Sequence, residues 1–214
     1  MTLADLLAQG APPIVAILRG LTPAEAPAIG RVLIEAGIRA IEVPFNSPEP
    51  TTSIARLQAE FGRTALIGGG TVLTVEAAEA LAGTGARLMV TPNTDAAVIA
   101  RGVALGLDLL PGCLTPSEAF IALGAGAKAL KLFPAGTLGA AHLKAVREVL
   151  PAGTPFWAVG GTNAETLAEW LGAGAAGIGV GGALYRAGDG AELVAGRARA
   201  LVEAWRACTA AADR

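Results

Sequence analysis

The segment Gly124-Ala125-Gly126-Ala127-Lys128-Ala129-Leu130-Lys131-Leu132-Phe133-Pro134 closes a helical stretch with glycine and opens a short apolar run with a charge in its middle. Glycine just past a helix is a common stop, and an apolar run of this length reads as a strand buried on both faces of a parallel sheet. The same unit recurs along the chain. Apolar runs fall at 14–19, 40–45, 65–70, 88–92, 107–112, 129–134, 155–161 and 177–182, each followed by a turn and an Ala/Leu-rich stretch of helical spacing. Further glycine stops stand at Glu35-Ala36-Gly37-Ile38, Gly83-Thr84-Gly85-Ala86 and Gly172-Ala173-Gly174-Ala175. Helix starts are read at Thr22-Pro23 with Glu25, Ser47-Pro48, Thr115-Pro116-Ser117-Glu118 and Thr162-Asn163 with Glu165. Eight βα units of about 27 residues suit an α/β fold of the (β/α)8 TIM-barrel type near its lower size limit. An open doubly wound sheet is the rival, and the polar or Gly-rich ends of both the first and the last strand favour closure. No linker or break in composition divides residues 1–214, so one domain is expected.

Composition narrows the function. Hydrophobic residues make up 53% of the 214 and charged ones 16%, which excludes a disordered or highly charged scaffold. The 29 glycines are scattered without period and are assigned largely to turns. Sixteen Lys and Arg against 18 Asp and Glu, with no basic run, leave no footprint for nucleic acid. The longest uncharged stretch, 170–185, is too short and Gly-rich to span a bilayer, and the N-terminus has no basic leader, so a cytoplasmic protein without membrane partners is expected. Cys113 and Cys208 lie far apart with no CxxC or His partner, so neither a disulfide framework nor a metal cluster is expected. A mean hydropathy of +0.54 with so few charges predicts a homo-oligomer.

Chemistry in a barrel sits at the C-terminal ends of the strands. Lys131 lies inside an apolar strand, where a charge is costly unless it is neutralised or paired. Desolvation lowers a lysine pKa and frees the amine as a Schiff-base nucleophile; the alternative is a structural lysine paired with Glu42. Glu42, between Ile41 and Val43, has the same signature and reads as a proton shuttle or as half of a buried ion pair. Arg19 ends strand one with a planar fork suited to carboxylate or phosphate, or stands as a surface arginine. Gly160-Gly161 and Gly181-Gly182 follow strands seven and eight, where barrels commonly bind phosphate with backbone N–H groups. Cys113 is read as pocket lining, His142 as solvated or partner-facing, and the three tryptophans as packing, with Trp157 the one near substrate.

The segments Ala16-Ile17-Leu18-Arg19-Gly20, Ile41-Glu42-Val43-Pro44 with Asn46-Ser47-Pro48, Gly70-Thr71-Val72-Leu73, Val90-Thr91-Pro92-Asn93, Pro111-Gly112-Cys113, Leu130-Lys131-Leu132-Phe133-Pro134 and Ala158-Val159-Gly160-Gly161 resemble, in order, the class I KDPG/KHG aldolase family. The likeness runs over 13–188 and is strongest to the branch that acts on galacto-configured substrates. It implies a cofactor-free and metal-free aldol cleavage of a phosphorylated keto sugar acid, giving pyruvate and D-glyceraldehyde 3-phosphate in a homotrimer. Carried over by motif, Lys131 forms the imine and Glu42 is the general acid/base. Thr71 and Arg19 meet the pyruvyl carboxylate, and Gly161, Gly181 and Gly182 the phosphate. Many relatives have serine where this chain has Gly182. Gluconate-type relatives carry threonine where it has Val159, so Val159 is read as setting the C4 epimer. The first alternative is the same chemistry on 2-dehydro-3-deoxy-6-phosphogluconate or 4-hydroxy-2-oxoglutarate. A sugar-phosphate isomerase or epimerase and a phosphometabolite-binding barrel are the more distant rivals, the former leaving the interior Lys131 unexplained and the latter having no need of both Lys131 and Glu42.

Overall fold

The computed structural model describes residues 1–212, with side chains through 210. Nine parallel strands form one sheet: β1 (Ile14–Ile17), β2 (Ala40–Pro44), β3 (Leu66–Gly70), β4 (Leu88–Val90), β5 (Asp108–Leu110), β6 (Gly112–Cys113), β7 (Leu130–Leu132), β8 (Phe156–Val159) and β9 (Gly177–Val180). Their order is β5-β4-β3-β2-β1-β9-β8-β7-β6. The two end strands are consecutive in the chain, with Pro111 alone between them, so the ring closes through the backbone itself. Proline has no N–H to give a ladder, which splits the expected fifth strand in two. Its carbonyl still accepts from the Lys131 N–H at 2.9 Å. The eight expected runs are thus all strands, arranged as a barrel.

Nine helices occur among the described residues: α1 (Leu3–Ala8), α2 (Ala26–Ala36), α3 (Pro50–Phe61), α4 (Val75–Gly83), α5 (Ala96–Ala104), α6 (Pro116–Gly124), α7 (Ala135–Arg147), α8 (Leu167–Gly172) and α9 (Ala191–Ala212). Thr115 and Glu118 make the capping box that their spacing predicts for α6. Other expected starts shift because their polar groups have different partners. The Thr22 hydroxyl donates to Glu25 Oε2, and α2 opens only at Ala26. Ser47 Oγ accepts from the Gly20 N–H, and α3 begins at Pro50. The Thr162 hydroxyl donates to the Gly179 carbonyl at 2.6 Å, leaving α8 to start at Leu167.

Side chains alternate across each strand, and this alternation sorts them into two cores. Ile14, Ala16, Leu18, Ile41, Val43, Ile67, Met89, Leu109, Leu130, Leu132, Phe156, Ala158, Ile178 and Val180 face the helices. Val15, Ala40, Leu66, Leu88, Val90, Leu110 and Trp157 fill the barrel interior together with Leu3 and Leu6 of α1. Leu3 and Leu6, one turn apart, thus plug the N-terminal end of the barrel. The Leu3 N–H donates to Asp108 Oδ2 at 2.6 Å, fixing the plug to β5. Burial, its main influence, raises the Asp108 pKa. Truncating the buried plug removes apolar contacts and leaves a cavity. Leu6→Ala is expected to cost about 2–5 kcal/mol of stability, read from the shift of a urea unfolding midpoint.

Candidate active site

The alternation that sorts the cores also aims the charges. Ala40 belongs to the interior cluster and Ile41 and Val43 to the outer one, so Glu42 points inward from β2. Leu130 and Leu132 are outer, so Lys131 points inward from β7, paired in register with Gly112 and Trp157. Lys131 is 5% exposed and Glu42 3%. The Lys131 Nζ lies 4.8 Å from the centre of the Phe133 ring. Burial pushes the Lys131 amine down to about 8, against the opposing pull of Glu42; the Arg19 charge lowers it further. Burial likewise pushes the Glu42 carboxyl up to about 7, while Lys131 and Arg19 draw it back. Each group is shifted toward its neutral form because water is withdrawn, and each charge partly restores the other. Among the described residues Glu42 Oε2 has no hydrogen-bond partner, so this oxygen is free to take a proton.

Space for the pair comes from glycine. Gly68, Gly70, Gly112, Gly177 and Gly179 occupy inward positions of their strands. A Cβ on Gly70 would coincide with the Glu42 carboxylate, and one on Gly177 would strike the Trp157 ring. The glycine excess therefore serves the barrel interior as well as the turns.

At the mouth, Arg19 is exposed and held on two sides. Its Nη1 donates to Asn46 Oδ1 at 2.5 Å, and its Nη2 reaches Thr71 Oγ1 at 3.5 Å. Thr71 sits at φ 55°, a left-handed conformation that costs a β-branched residue energy. That strain turns its hydroxyl toward the arginine. A cavity of about 710 Å³ opens beside this cluster, lined by Ile17, Arg19, Phe133, Val159, Gly161, Gly181, Gly182, Tyr185 and Arg186 among others. Lys131 and Glu42 do not line it; they lie buried next to Phe133 and Arg19, which form its wall on that side. Gly160 and Gly161 both have positive φ, 98° and 78°, which aims the turn after β8 away from regular strand geometry. Among the described residues the N–H groups of Gly161, Thr162, Gly182 and Ala183 have no hydrogen-bond acceptor, so donors from two turns are available to an anion.

The structure therefore brings Arg19, Val159, Gly161, Gly181 and Gly182 into one cavity, with Thr71 bonded to Arg19 and Lys131 and Glu42 behind its wall. One expectation is corrected. Cys113 faces the outer core, where burial pushes its thiol up to about 12, so it is not pocket lining. His142 is half-buried, and its Nε2 lies 2.7 Å from the Leu114 carbonyl, tying α7 to the turn after β6. Trp157 packs among the interior residues beside Gly177, as its reading as a packing residue expects, and stands in register with Lys131. Asn46 and Arg186 were not singled out from the sequence. Asn46 stood in a quoted motif and needed only a partner, whereas Arg186 follows a turn with no signal of its own. No group of three or more His, Cys, Asp or Glu is placed to hold a metal ion among the described residues.

Comparison with known proteins meets this geometry. A family model described as KDPG and KHG aldolase matches residues 8–192. The chain belongs to that family. Within these aldolases it is 49% identical over 194 residues to the 2-dehydro-3-deoxy-6-phosphogalactonate aldolase of Escherichia coli (strain K12), covering 91% of this chain and 95% of that protein. A solved structure described as native KDPGal superposes with a TM-score of 0.91 at 48% identity, covering 92% and 96% of the two chains. A KDPG aldolase from Legionella pneumophila, solved with pyruvate captured at low pH as a covalent carbinolamine intermediate, superposes at 0.80 with 25% identity over 97% and 98%.

Gly70 leaves the space that the Glu42 carboxylate occupies. Gly70→Ala is expected to displace the Glu42 carboxylate and lower turnover by about 10²-fold, the scale of a lost acid/base group. Steady-state kinetics beside an unfolding curve checks it, since the fold should survive the change.

Proposed function

We propose that the chain cleaves 2-dehydro-3-deoxy-6-phosphogalactonate to pyruvate and D-glyceraldehyde 3-phosphate through an imine on Lys131. The observation that carries this reading is the pair itself: a buried amine and a buried carboxylate turned into the barrel from β7 and β2, beside a cavity whose charged lining residues are both arginines.

The Lys131 amine attacks the C2 ketone, and the carbinolamine takes a proton from the Glu42 carboxyl and loses water to give an iminium ion. Glu42 takes the proton from the C4 hydroxyl as the C3–C4 bond breaks. The bonding electrons move onto C3 and into the iminium, leaving an enamine, while C4 becomes the aldehyde carbon. Protonation of C3 by Glu42 and hydrolysis of the resulting imine release pyruvate and restore the lysine. Atoms balance without a cofactor. Arg19, steadied by Asn46 and Thr71, receives the carboxylate, and the N–H groups of Gly161 and Gly182 face the phosphate at the other end.

Large apolar side chains, Phe120 and Ile121 on α6 and Leu138 on α7, remain exposed and support assembly as a homotrimer. No helix is long and apolar enough to cross a membrane among the described residues, in keeping with work in the cytoplasm on small phosphorylated metabolites.

Only the unprotonated amine attacks, so the rate of imine formation should rise with pH up to about 8, the value to which burial lowers Lys131, and level off above it. Removing the Glu42 charge removes an influence that raises the amine, so Glu42→Gln should move that plateau to lower pH. Borohydride trapping of pyruvate, followed by mass spectrometry of the labelled peptide at several pH values, tests both. Labelling away from Lys131 would overturn the assignment.

Val159 is 7% exposed, lines the cavity and has its Cγ2 closest to where a Gly179 Cβ would stand. A methyl there offers no hydrogen bond to a C4 hydroxyl, so Val159→Thr should shift the kcat/KM ratio toward the gluco epimer. One neutral hydrogen bond is worth about 0.5–1.5 kcal/mol, a change of several-fold, measured by assaying both epimers with both proteins.

A further inference from the structure

We propose that Arg186 is the specificity residue for the phosphorylated end of the substrate, supplying the charge that selects a dianionic terminus. The proposal rests on the aldolase reading above and deepens it. Among the described residues Arg19 and Arg186 are the charged ones lining the 710 Å³ cavity, and no carboxylate lines it. Arg19 is held by Asn46 and Thr71, so the cavity-lining charge not engaged by a neighbouring side chain is that of Arg186.

The side chain is held for this task. Its Nε donates to the Gly182 carbonyl at 3.0 Å, which leaves Nη1 and Nη2 without a partner among the described residues, in the same turn as the N–H groups of Gly182 and Ala183. Nothing lies within 4 Å of the position that a Gly182 Cβ would take, so a phosphate can approach that backbone closely. The turn that presents Arg186 is anchored at both ends. Tyr185 is 1% exposed, and its N–H donates to the Gly181 carbonyl at 2.9 Å. The Arg186 N–H donates to Asp189 Oδ2 at 2.9 Å, and the same oxygen accepts from Arg197 Nη1 at 2.5 Å. Asp189 is thereby paired with Arg197, and among the described residues no ion pair joins it to the Arg186 guanidinium. An arginine fork fixed by one nitrogen and open at two matches the geometry of phosphate oxygens.

The substrate bears charge at both ends, so separating the two arginines separates their kinetic effects. Arg186→Ala is expected to raise KM for the 6-phosphorylated keto acid roughly 10- to 100-fold, the range for charge-assisted hydrogen bonds, with Arg186→Lys in between. Competitive inhibition by inorganic phosphate should weaken in proportion. Borohydride trapping of pyruvate, which has no phosphate, should stay within about two-fold of wild type. A KM within two-fold of wild type, with inhibition by phosphate unchanged, would overturn the proposal, as would a loss of pyruvate trapping equal to the rise in KM. If the wild-type protein cleaves no 6-phosphorylated keto acid, the aldolase reading falls instead. Inorganic phosphate binding to wild type and Arg186→Ala, followed by calorimetry, then judges the arginine on its own.

Discussion

Everything at the mouth of this barrel depends on keeping an amine and a carboxylate out of water without letting either stay a lone charge. An isolated ion in a low-dielectric interior costs far more than a domain of this size can supply, so such groups neutralise or find partners. Lys131 and Glu42 do some of each: burial moves both toward their neutral forms, and each resists the movement of the other. A barrel of this type is usually filled by layers of branched side chains. Here the lower layers follow that rule, with Val15, Leu66, Leu88, Val90 and Leu110, while inward positions around and above the pair are glycine. The omitted side chains make room for reactive ones.

The rim is then fixed by short polar bonds between neighbouring turns. Ser47 joins the turn after β2 to the one after β1, Thr91 accepts from the Gly112 N–H across the β5–β6 break, and Thr162 reaches the Gly179 carbonyl under the cavity. All three side chains are buried, so each bond also satisfies a group that would otherwise be costly to desolvate. Thr71 contributes in the opposite way, since its left-handed backbone stores strain that the surrounding bonds must hold. Rigid turns place the donors, and strained or open ones offer them.

The barrel and the buried Lys131 and Glu42 were legible because both leave marks in local sequence. Apolar runs at regular spacing give strands, and a charge such as Lys131 between Leu130 and Leu132 stands out against them. Positions defined by three-dimensional alternation were harder. Trp157 and Val159 share a face of β8, yet one lies a residue pair deeper, which separates floor from cavity. Hydroxyls such as Thr162 read as caps because a helix follows nearby, and only the position of β9 shows that a strand carbonyl claims the proton. Arg186 had no local mark at all. Its importance arises from what is missing around it, namely any acid in the cavity wall and any side chain on Gly182.

The plug formed by Leu3 and Leu6 turns the barrel into a blind well, and a blind well imposes an order on departure. With one end of the interior stopped by α1, nothing can drain through the floor. On the proposed mechanism the fragment held on Lys131 would lie deep, because Lys131 is buried, and the phosphate-bearing fragment would rest against the turns that line the cavity. The aldehyde must leave before the water that frees pyruvate can take its place, and in synthesis the keto acid must enter first. The short N-terminal helix, remote from every reacting atom, thereby sets the sequence of traffic.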